Sequence, residues 1–149
     1  MLKSKLLHPR INEVLGRAGH GAKILIADGN FPASHTMGSR AELVSLNLST
    51  GVVTCSEVLA VLASAVPIEE AFTMQVDAVG KYAIAKDPLA WKEFRQILQD
   101  ADIQIALKPV ERHKFYRLVA TENHVLTIHT GDLRLFSNIL ISIGVVGVQ

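Results

Sequence analysis

Short aliphatic segments alternate with segments of helical periodicity along the chain, and this alternation limits the possible folds more than any other feature. Thr54 and Glu57 fit a capping box, and Asp87 before Pro88 predicts another helix start. The predicted strands span 23–27, 41–48, 68–78, 103–107, 125–129 and 138–143, and the predicted helices span 10–18, 55–65, 88–100 and 110–121. Alternation of this kind is typical of an α/β fold, in which helices cover a sheet.

The composition indicates one well-packed domain. The chain has 149 residues with no linker or internal repeat, so we assign 1–149 to a single domain, layered α/β/α with a central, mostly parallel sheet. Hydrophobic residues make up 49% and charged residues 19%, which excludes a disordered chain. Because so apolar a chain has a solubility problem when alone, burial between subunits is one solution.

Charge and cysteine content exclude several classes of function. The formal net charge is +1, so no basic excess indicates a nucleic-acid partner. A single cysteine, Cys55, excludes an internal disulfide framework and a zinc site built from several cysteines. No uncharged apolar run reaches the roughly 18 residues of a membrane span, and the N-terminus lacks the apolar core of a signal peptide. We therefore expect a cytoplasmic protein without a membrane partner.

The first candidate site is a histidine between two glycines, with a carboxylate after the next strand. His20 lies in the sequence GHG, and Asp28 follows the predicted strand 23–27. An imidazole can give and take a proton near neutral pH, and flanking glycines leave room for a ligand. A helix-capping histidine and a turn aspartate explain the same residues, and the spacing leaves both readings open.

The loop after Asp28 is the second candidate. The sequence DGNFP is typical of turns, and Ser34, His35 and Thr36 extend the polar stretch. Such a loop either lines a pocket or is a plain surface loop.

Two further polar groups lie in the C-terminal third. Arg112 and Tyr116 are four residues apart and share one face of a predicted helix, where they can bind hydroxyls or simply pack together in solvent. The turn TGD at 130–132 precedes Phe136, and Asn138 opens the last predicted strand.

Several mechanisms lack their motifs. The sequence has no GxSxG, GxxxxGK[ST] or HExxH, and its GRAGHG stretch follows a helix rather than the strand that a dinucleotide-binding loop requires. A metal-dependent enzyme would have to gather His20, Asp28 and His35 through the fold. An acyl-transfer enzyme would have to use Cys55, with no histidine near it in sequence.

Taken together, the order of motifs resembles the D-ribose pyranase and L-fucose mutarotase family. The resemblance extends from Leu2 to Val146 and rests on GHG, ILIADGNFPASHTMG, ERHKFY and TGDLRLFSNILISIGVV. The FPASHTMG loop and the RxxFY pattern favour the fucose mutarotase branch.

The resemblance implies an isomerase without cofactor or metal, whose subunits form a ring, typically a decamer. Such an enzyme interconverts the anomers, or the pyranose and furanose forms, of a free monosaccharide such as L-fucose or D-ribose. The family pattern makes His20 the catalytic acid/base. The residues expected in the sugar pocket are Asp28, Arg112, Phe136, Asn138, His35 and Tyr116.

The chemistry agrees with these side chains. Opening a sugar hemiacetal adds a proton to the ring oxygen and removes one from the anomeric hydroxyl, and a positioned histidine can do both. Phe136 stands where the family has tyrosine, so one hydroxyl is missing. This departure favours the main alternative, a non-catalytic monosaccharide-binding protein in transport or regulation.

Overall fold

A computed structural model describes residues 2–147 and shows a six-stranded sheet with helices on both faces. The strands are β1 (Lys23–Ala27), β2 (Glu42–Ser45), β3 (Ile68–Met74), β4 (Leu107–Val110), β5 (His124–His129) and β6 (Ile139–Ile143). The helices are α1 (Pro9–Arg17), α2 (Cys55–Leu62), α3 (Leu89–Asp100) and α4 (Arg112–Val119). The predicted α/β class is confirmed. No helix within 2–147 has the length and apolar character needed to cross a membrane.

The sheet is mixed, with parallel pairs in the majority. Its strand order is β2-β5-β1-β6-β3-β4. The pairs β2–β5, β5–β1 and β3–β4 are parallel, whereas β6 runs antiparallel to both β1 and β3. The N-terminal end of β6 therefore lies beside the C-terminal ends of β1 and β3. We call this end of the sheet the cavity end.

The α/β/α layering follows from the alternation of side chains along each strand. Ile24 and Ile26 of β1 pack with α1, α2 and α3 on one face of the sheet. Leu25 and Ala27 pack on the other face, against Phe115 of α4. All five side chains are fully buried, and burying each of the large ones stabilises the fold by about 1.5–3 kcal/mol.

The strand predicted at 103–107 is wrong. Ile103 and Ile105 pack against the core from an irregular segment, and the ladder with β3 begins only at Leu107. β4 is an edge strand, so it tolerates Pro109, which has no N–H to donate. The following helix also begins later than predicted, because the Glu111 carboxylate accepts hydrogen bonds from two N–H groups of the first turn.

Of the two predicted N-caps, one forms and one does not. The Thr54 N–H donates to the Glu57 carboxylate at 2.7 Å, and the Glu57 N–H donates to Thr54 Oγ1 at 3.2 Å, as a capping box requires. Asp87 makes no cap; α3 begins directly after Pro88 without a side-chain cap. The Asp87 carboxylate instead pairs with Arg95 at 2.7 Å, which offers it a full positive charge.

Gly131 is the glycine for which the packing is most restrictive. A Cβ at this position would lie 2.3 Å from the carbonyl oxygen of Ser49 and 2.4 Å from that of Val52. We expect Gly131→Ala to lower the free energy of unfolding by about 1–3 kcal/mol. The matched control is Gly16→Ala in α1, where nothing lies within 4 Å and helix propensity favours alanine. Denaturant unfolding measures both, and an undiminished stability of Gly131→Ala would contradict the prediction.

Candidate functional site

A cavity of about 310 Å³ opens at the cavity end of the sheet, where β1 and β3 finish and β6 begins. This is the position at which open α/β sheets commonly bind ligands, and the volume is at the lower end of the range for small-molecule sites, roughly 300–1,000 Å³. The polar lining residues are Asp28, Asn30, Arg112 and Asn138. The aromatic lining residues are Phe31, Tyr82, Tyr116 and Phe136.

Asp28 and Asn138 form a fixed polar pair in the cavity wall. The Asn138 amide donates to Asp28 Oδ2 at 2.7 Å, and its oxygen accepts from the Asp28 backbone N–H at 2.8 Å. The Asn30 N–H donates to the other carboxylate oxygen of Asp28 at 3.0 Å. Asp28 and Asn138 are only 4% and 5% exposed, so the carboxylate is oriented before any ligand arrives.

The ionisation of Asp28 is altered by its surroundings. Burial raises the pKa of Asp28 to about 6, and the negative charge of Asp132 adds to the rise. Hydrogen bonds from Asn30, Phe31 and Asn138 oppose the rise without cancelling it. The group is therefore a carboxylate at neutral pH that exchanges protons within the physiological range. Such a group is suited to accept hydrogen bonds from ligand hydroxyls.

The TGD turn supports Asp28 from behind rather than lining the cavity. The Thr130 hydroxyl donates to the main chain of β1 at 2.9 Å, and the carbonyl oxygen of Asp132 accepts from the Gly29 N–H at 2.7 Å. Burial disfavours ionisation of Asp132, but hydrogen bonds from Arg134 outweigh it and hold the pKa of Asp132 below its usual range. The hydrogen bonds of Thr130 and Asp132 fix the turn against β1 and against Gly29, the residue that follows Asp28.

Arg112 and Tyr116 reach the cavity from one face of α4, as their spacing predicts. Arg112 Nη2 lies 2.6 Å from a carboxylate oxygen of Asp77. The Tyr116 ring packs against Phe31, with 5.7 Å between the ring centres. Arg112 therefore brings donor groups to the cavity while Asp77 balances its charge.

Phe136 contributes an apolar surface held in an unusual backbone conformation. Its φ is 60°, a left-handed value that is uncommon for residues other than glycine. The Trp91 indole N–H donates to the Phe136 carbonyl oxygen at 2.9 Å, which fixes this segment. The ring is only 7% exposed and offers the cavity no hydroxyl.

His20 lies at the opposite end of β1, away from the cavity. A five-residue strand spans about 16 Å, so the strand that separates His20 from Asp28 keeps the two side chains apart. The imidazole is 61% exposed, and its Nε2 lies 2.9 Å from the Glu69 carboxylate near the start of β3. A single chain therefore does not bring His20 into the cavity.

His35 is also outside the cavity. Its side chain is exposed and contacts the neighbouring Ser34 hydroxyl at 3.3 Å. Of the loop after β1, residues 30–32 line the cavity, so the loop contributes a wall without its histidine.

The residues that the metal-dependent and acyl-transfer alternatives require are not arranged as a site within residues 2–147. Within residues 2–147, no three His, Cys, Asp or Glu side chains are grouped as metal ligands, and His20, Asp28 and His35 stay apart. Cys55 is fully buried, and burial raises the pKa of its thiol to about 12. A thiol in this state is a poor nucleophile.

Sequence reasoning missed the part of the site that comes from the segment between β3 and α3. Tyr82 lines the cavity and Asp77 pairs with a lining residue, yet neither belongs to a motif. Met74, which also lines the cavity, ends β3, whereas the sequence predicts a strand that continues to residue 78. No local signal marks these residues, because only the folded sheet brings them beside Asp28.

The fold and the site together define a small α/β protein with a preformed polar pocket for a compact ligand. A crystal structure of the fucose mutarotase from Streptococcus pneumoniae in complex with L-fucose has the same fold, with a TM-score of 0.81, 20% identity, and coverage of 99% of this chain and 100% of that chain.

Sequence comparison extends the likeness. A fucose mutarotase of Danio rerio is 28% identical over 145 residues, covering 95% of this chain and 90% of the relative. A D-ribose pyranase of Variovorax paradoxus is 29% identical over 147 residues, covering 97% of this chain and 98% of the relative. The RbsD / FucU transport protein family matches residues 1–146, and the chain belongs to this family, as the resemblance of its motifs predicted.

Proposed function

We propose that this protein is a monosaccharide mutarotase, or pyranase, that interconverts the ring forms of a free sugar such as L-fucose or D-ribose. The observation that carries the proposal is the buried Asp28–Asn138 pair in the wall of a small cavity, in a chain of this family. The activities for which the relatives are named, fucose mutarotase and D-ribose pyranase, support it.

In this proposal the cavity orients the sugar through its hydroxyls. The Asp28 carboxylate accepts hydrogen bonds from sugar hydroxyls, and Arg112 donates to sugar oxygens. The rings of Phe136 and Tyr116 pack against the apolar C–H surface of the sugar. Because the sugar is uncharged, the near-zero net charge of the chain is no obstacle to its approach.

His20 then serves the cavity of a neighbouring subunit. Its exposed position at the far end of β1 suits a contact in which that end of one subunit meets the cavity end of the next. Val145 and Val146, just after β6 at the same end as His20, are 67% and 76% exposed and offer apolar surface for the contact. We propose a homo-oligomeric ring, decameric on the family pattern, located in the cytoplasm.

The proposed reaction balances with one imidazole. His20 takes the proton of the anomeric hydroxyl and gives a proton to the ring oxygen, so the ring C–O bond breaks and the open aldehyde forms. Closure on either face of the aldehyde returns both protons. Glu69 holds Nε2 of His20, which leaves Nδ1 to exchange protons with the sugar.

Saturation-transfer NMR tests the activity on L-fucose and D-ribose. The wild type is expected to exchange the anomers faster than buffer alone, and Asp87→Asn, which alters only a surface ion pair, is the control. If neither sugar exchanges faster with the protein, the proposal fails. Binding by calorimetry without faster exchange would instead favour the non-catalytic sugar-binding protein that Phe136 suggests.

The proposed assembly has its own measurement. Light scattering coupled to size-exclusion chromatography is expected to give a mass ten times that of the chain. A monomer would contradict both the ring and the role of His20, since a lone chain keeps His20 away from its own cavity.

A further inference from the structure

The segment between β3 and α3, residues 75–88, passes beside the cavity and contributes one residue to its lining. From this segment, Tyr82 lines the cavity. Tyr82 is 47% exposed, so its side chain is accessible to a ligand and to solvent. The ring is thus placed at the cavity with its polar group available.

One contact anchors the start of this segment to α4, and another closes a turn within it. The Asp77 carboxylate pairs with Arg112 at 2.6 Å, which joins the start of the segment to α4. Further along, the Ala83 N–H donates to the Gly80 carbonyl oxygen at 3.2 Å and closes a tight turn. Gly80 has a φ of +110°, a conformation that side chains other than glycine rarely adopt. Tyr82 therefore lies on a formed turn that is tethered to the cavity wall.

Other aromatic residues of the cavity lining offer rings without hydroxyls. Phe136 presents a ring without a hydroxyl, and its backbone is fixed by Trp91. Phe31 likewise offers only a ring. Among the aromatic lining residues, the phenolic hydroxyls are those of Tyr82 and Tyr116, and Tyr82 is the one at the mouth turn.

We propose that Tyr82 is a sugar-binding and specificity-determining residue, whose hydroxyl hydrogen-bonds a sugar hydroxyl at the cavity mouth while its ring covers a C–H face of the sugar. The proposal rests on the proposed function. A site that hydrogen-bonds one particular hydroxyl discriminates against sugars that lack it. Tyr82 thereby supplies, from the β3–α3 segment, a phenolic contact that position 136 does not offer in this chain.

The test compares Tyr82→Phe, which removes only the hydroxyl, with Tyr82→Ala, which also removes the ring. The sugar is L-fucose or D-ribose, whichever the wild type exchanges faster. Calorimetry and NMR exchange are expected to show Kd and KM about three- to tenfold higher for Tyr82→Phe, with kcat within about twofold of wild type. Tyr82→Ala is expected to bind more weakly still. Val79→Ala, an 84% exposed residue of the same segment that does not line the cavity, is expected to match the wild type.

Deoxy analogues identify the sugar hydroxyl that Tyr82 binds. Each analogue lacks one hydroxyl of the parent sugar. The analogue that lacks the hydroxyl bound by Tyr82 is expected to bind the wild type more weakly than the parent sugar does, whereas Tyr82→Phe is expected to bind both equally. Equal Kd and KM in the wild type and Tyr82→Phe, with a wild type that binds and exchanges sugar, would overturn this proposal alone. A wild type that binds neither sugar would overturn the proposed function together with it.

Discussion

His20→Ala is expected to lower kcat for anomer exchange by about 10²–10⁴-fold, because it removes the group proposed to move both protons. Sugar affinity is expected to change little, since Asp28, Arg112 and Asn138 remain in the cavity. NMR exchange measures kcat, and calorimetry measures the affinity. A parallel loss of affinity and rate would mean that the substitution disturbs the assembly rather than the proton transfer.

The position of His20 predicts that two impaired variants, His20→Ala and Asp28→Asn, complement each other in mixed oligomers. His20→Ala subunits supply intact cavities, and Asp28→Asn subunits supply the missing histidine. In randomly mixed oligomers about a quarter of the sites combine both intact parts, so co-expression should recover roughly a quarter of the wild-type rate. The two variants mixed after separate assembly are the control, and they are expected to keep only the low residual activity of Asp28→Asn. Absence of recovery in verified mixed oligomers would contradict catalysis across a subunit contact.

The element types were predictable because their signals are local. The aliphatic run of β1 and the capping box of Thr54 and Glu57 both depend on residues a few positions apart. Strand order and direction depend on distant pairing, and no local pattern reports it. The reversed β6 is the clearest case, since it brings Asn138 to Asp28 across 110 positions of sequence.

The site was predictable where a polar residue directly bounds a strand or shares a helix face. The cavity is lined by Asp28 after β1, by Asn138 before β6, and by Arg112 and Tyr116 on one face of α4. His20 shows the limit of this reasoning. Its eight-position separation from Asp28 suggests closeness, but an extended strand fills the interval and carries the two residues to opposite ends of the sheet.

Asp28→Asn is expected to reduce kcat/KM by about 10–100-fold, the usual worth of hydrogen bonds to a charged group. An amide also places an NH₂ group against either the Asn30 N–H or the Asn138 amide, both of which now donate to the carboxylate. NMR exchange at several sugar concentrations gives kcat/KM directly. Activity equal to wild type would remove Asp28 from the sugar site.

The raised pKa of Asp28 also predicts the pH dependence of binding. Because the pKa is about 6, the carboxylate takes up a proton as the pH falls through that value, and sugar affinity is expected to weaken below it. Calorimetry from pH 5 to 8 should show this weakening of sugar affinity at low pH in the wild type and in His20→Ala, which keeps Asp28. The weakening should be missing in Asp28→Asn, and its persistence there would assign it to another group.

The same pKa fixes the sign of a stability change. In the unfolded chain Asp28 releases its proton near 3.8, whereas the folded protein keeps it up to about pH 6. Between these values the folded state binds more protons, so the contribution of Asp28 to the free energy of unfolding falls as pH rises, by about 3 kcal/mol in total. Denaturant unfolding of wild type and Asp28→Asn at pH 4 and pH 7 measures this effect. The stability of the variant relative to wild type should be higher at pH 7 than at pH 4, by up to about 3 kcal/mol. A difference that does not change with pH would show that Asp28 ionises alike in both states. If the shift is found, the residue proposed to hold the sugar destabilises the fold at neutral pH, which is the expected cost of keeping a buried carboxylate ready for a ligand.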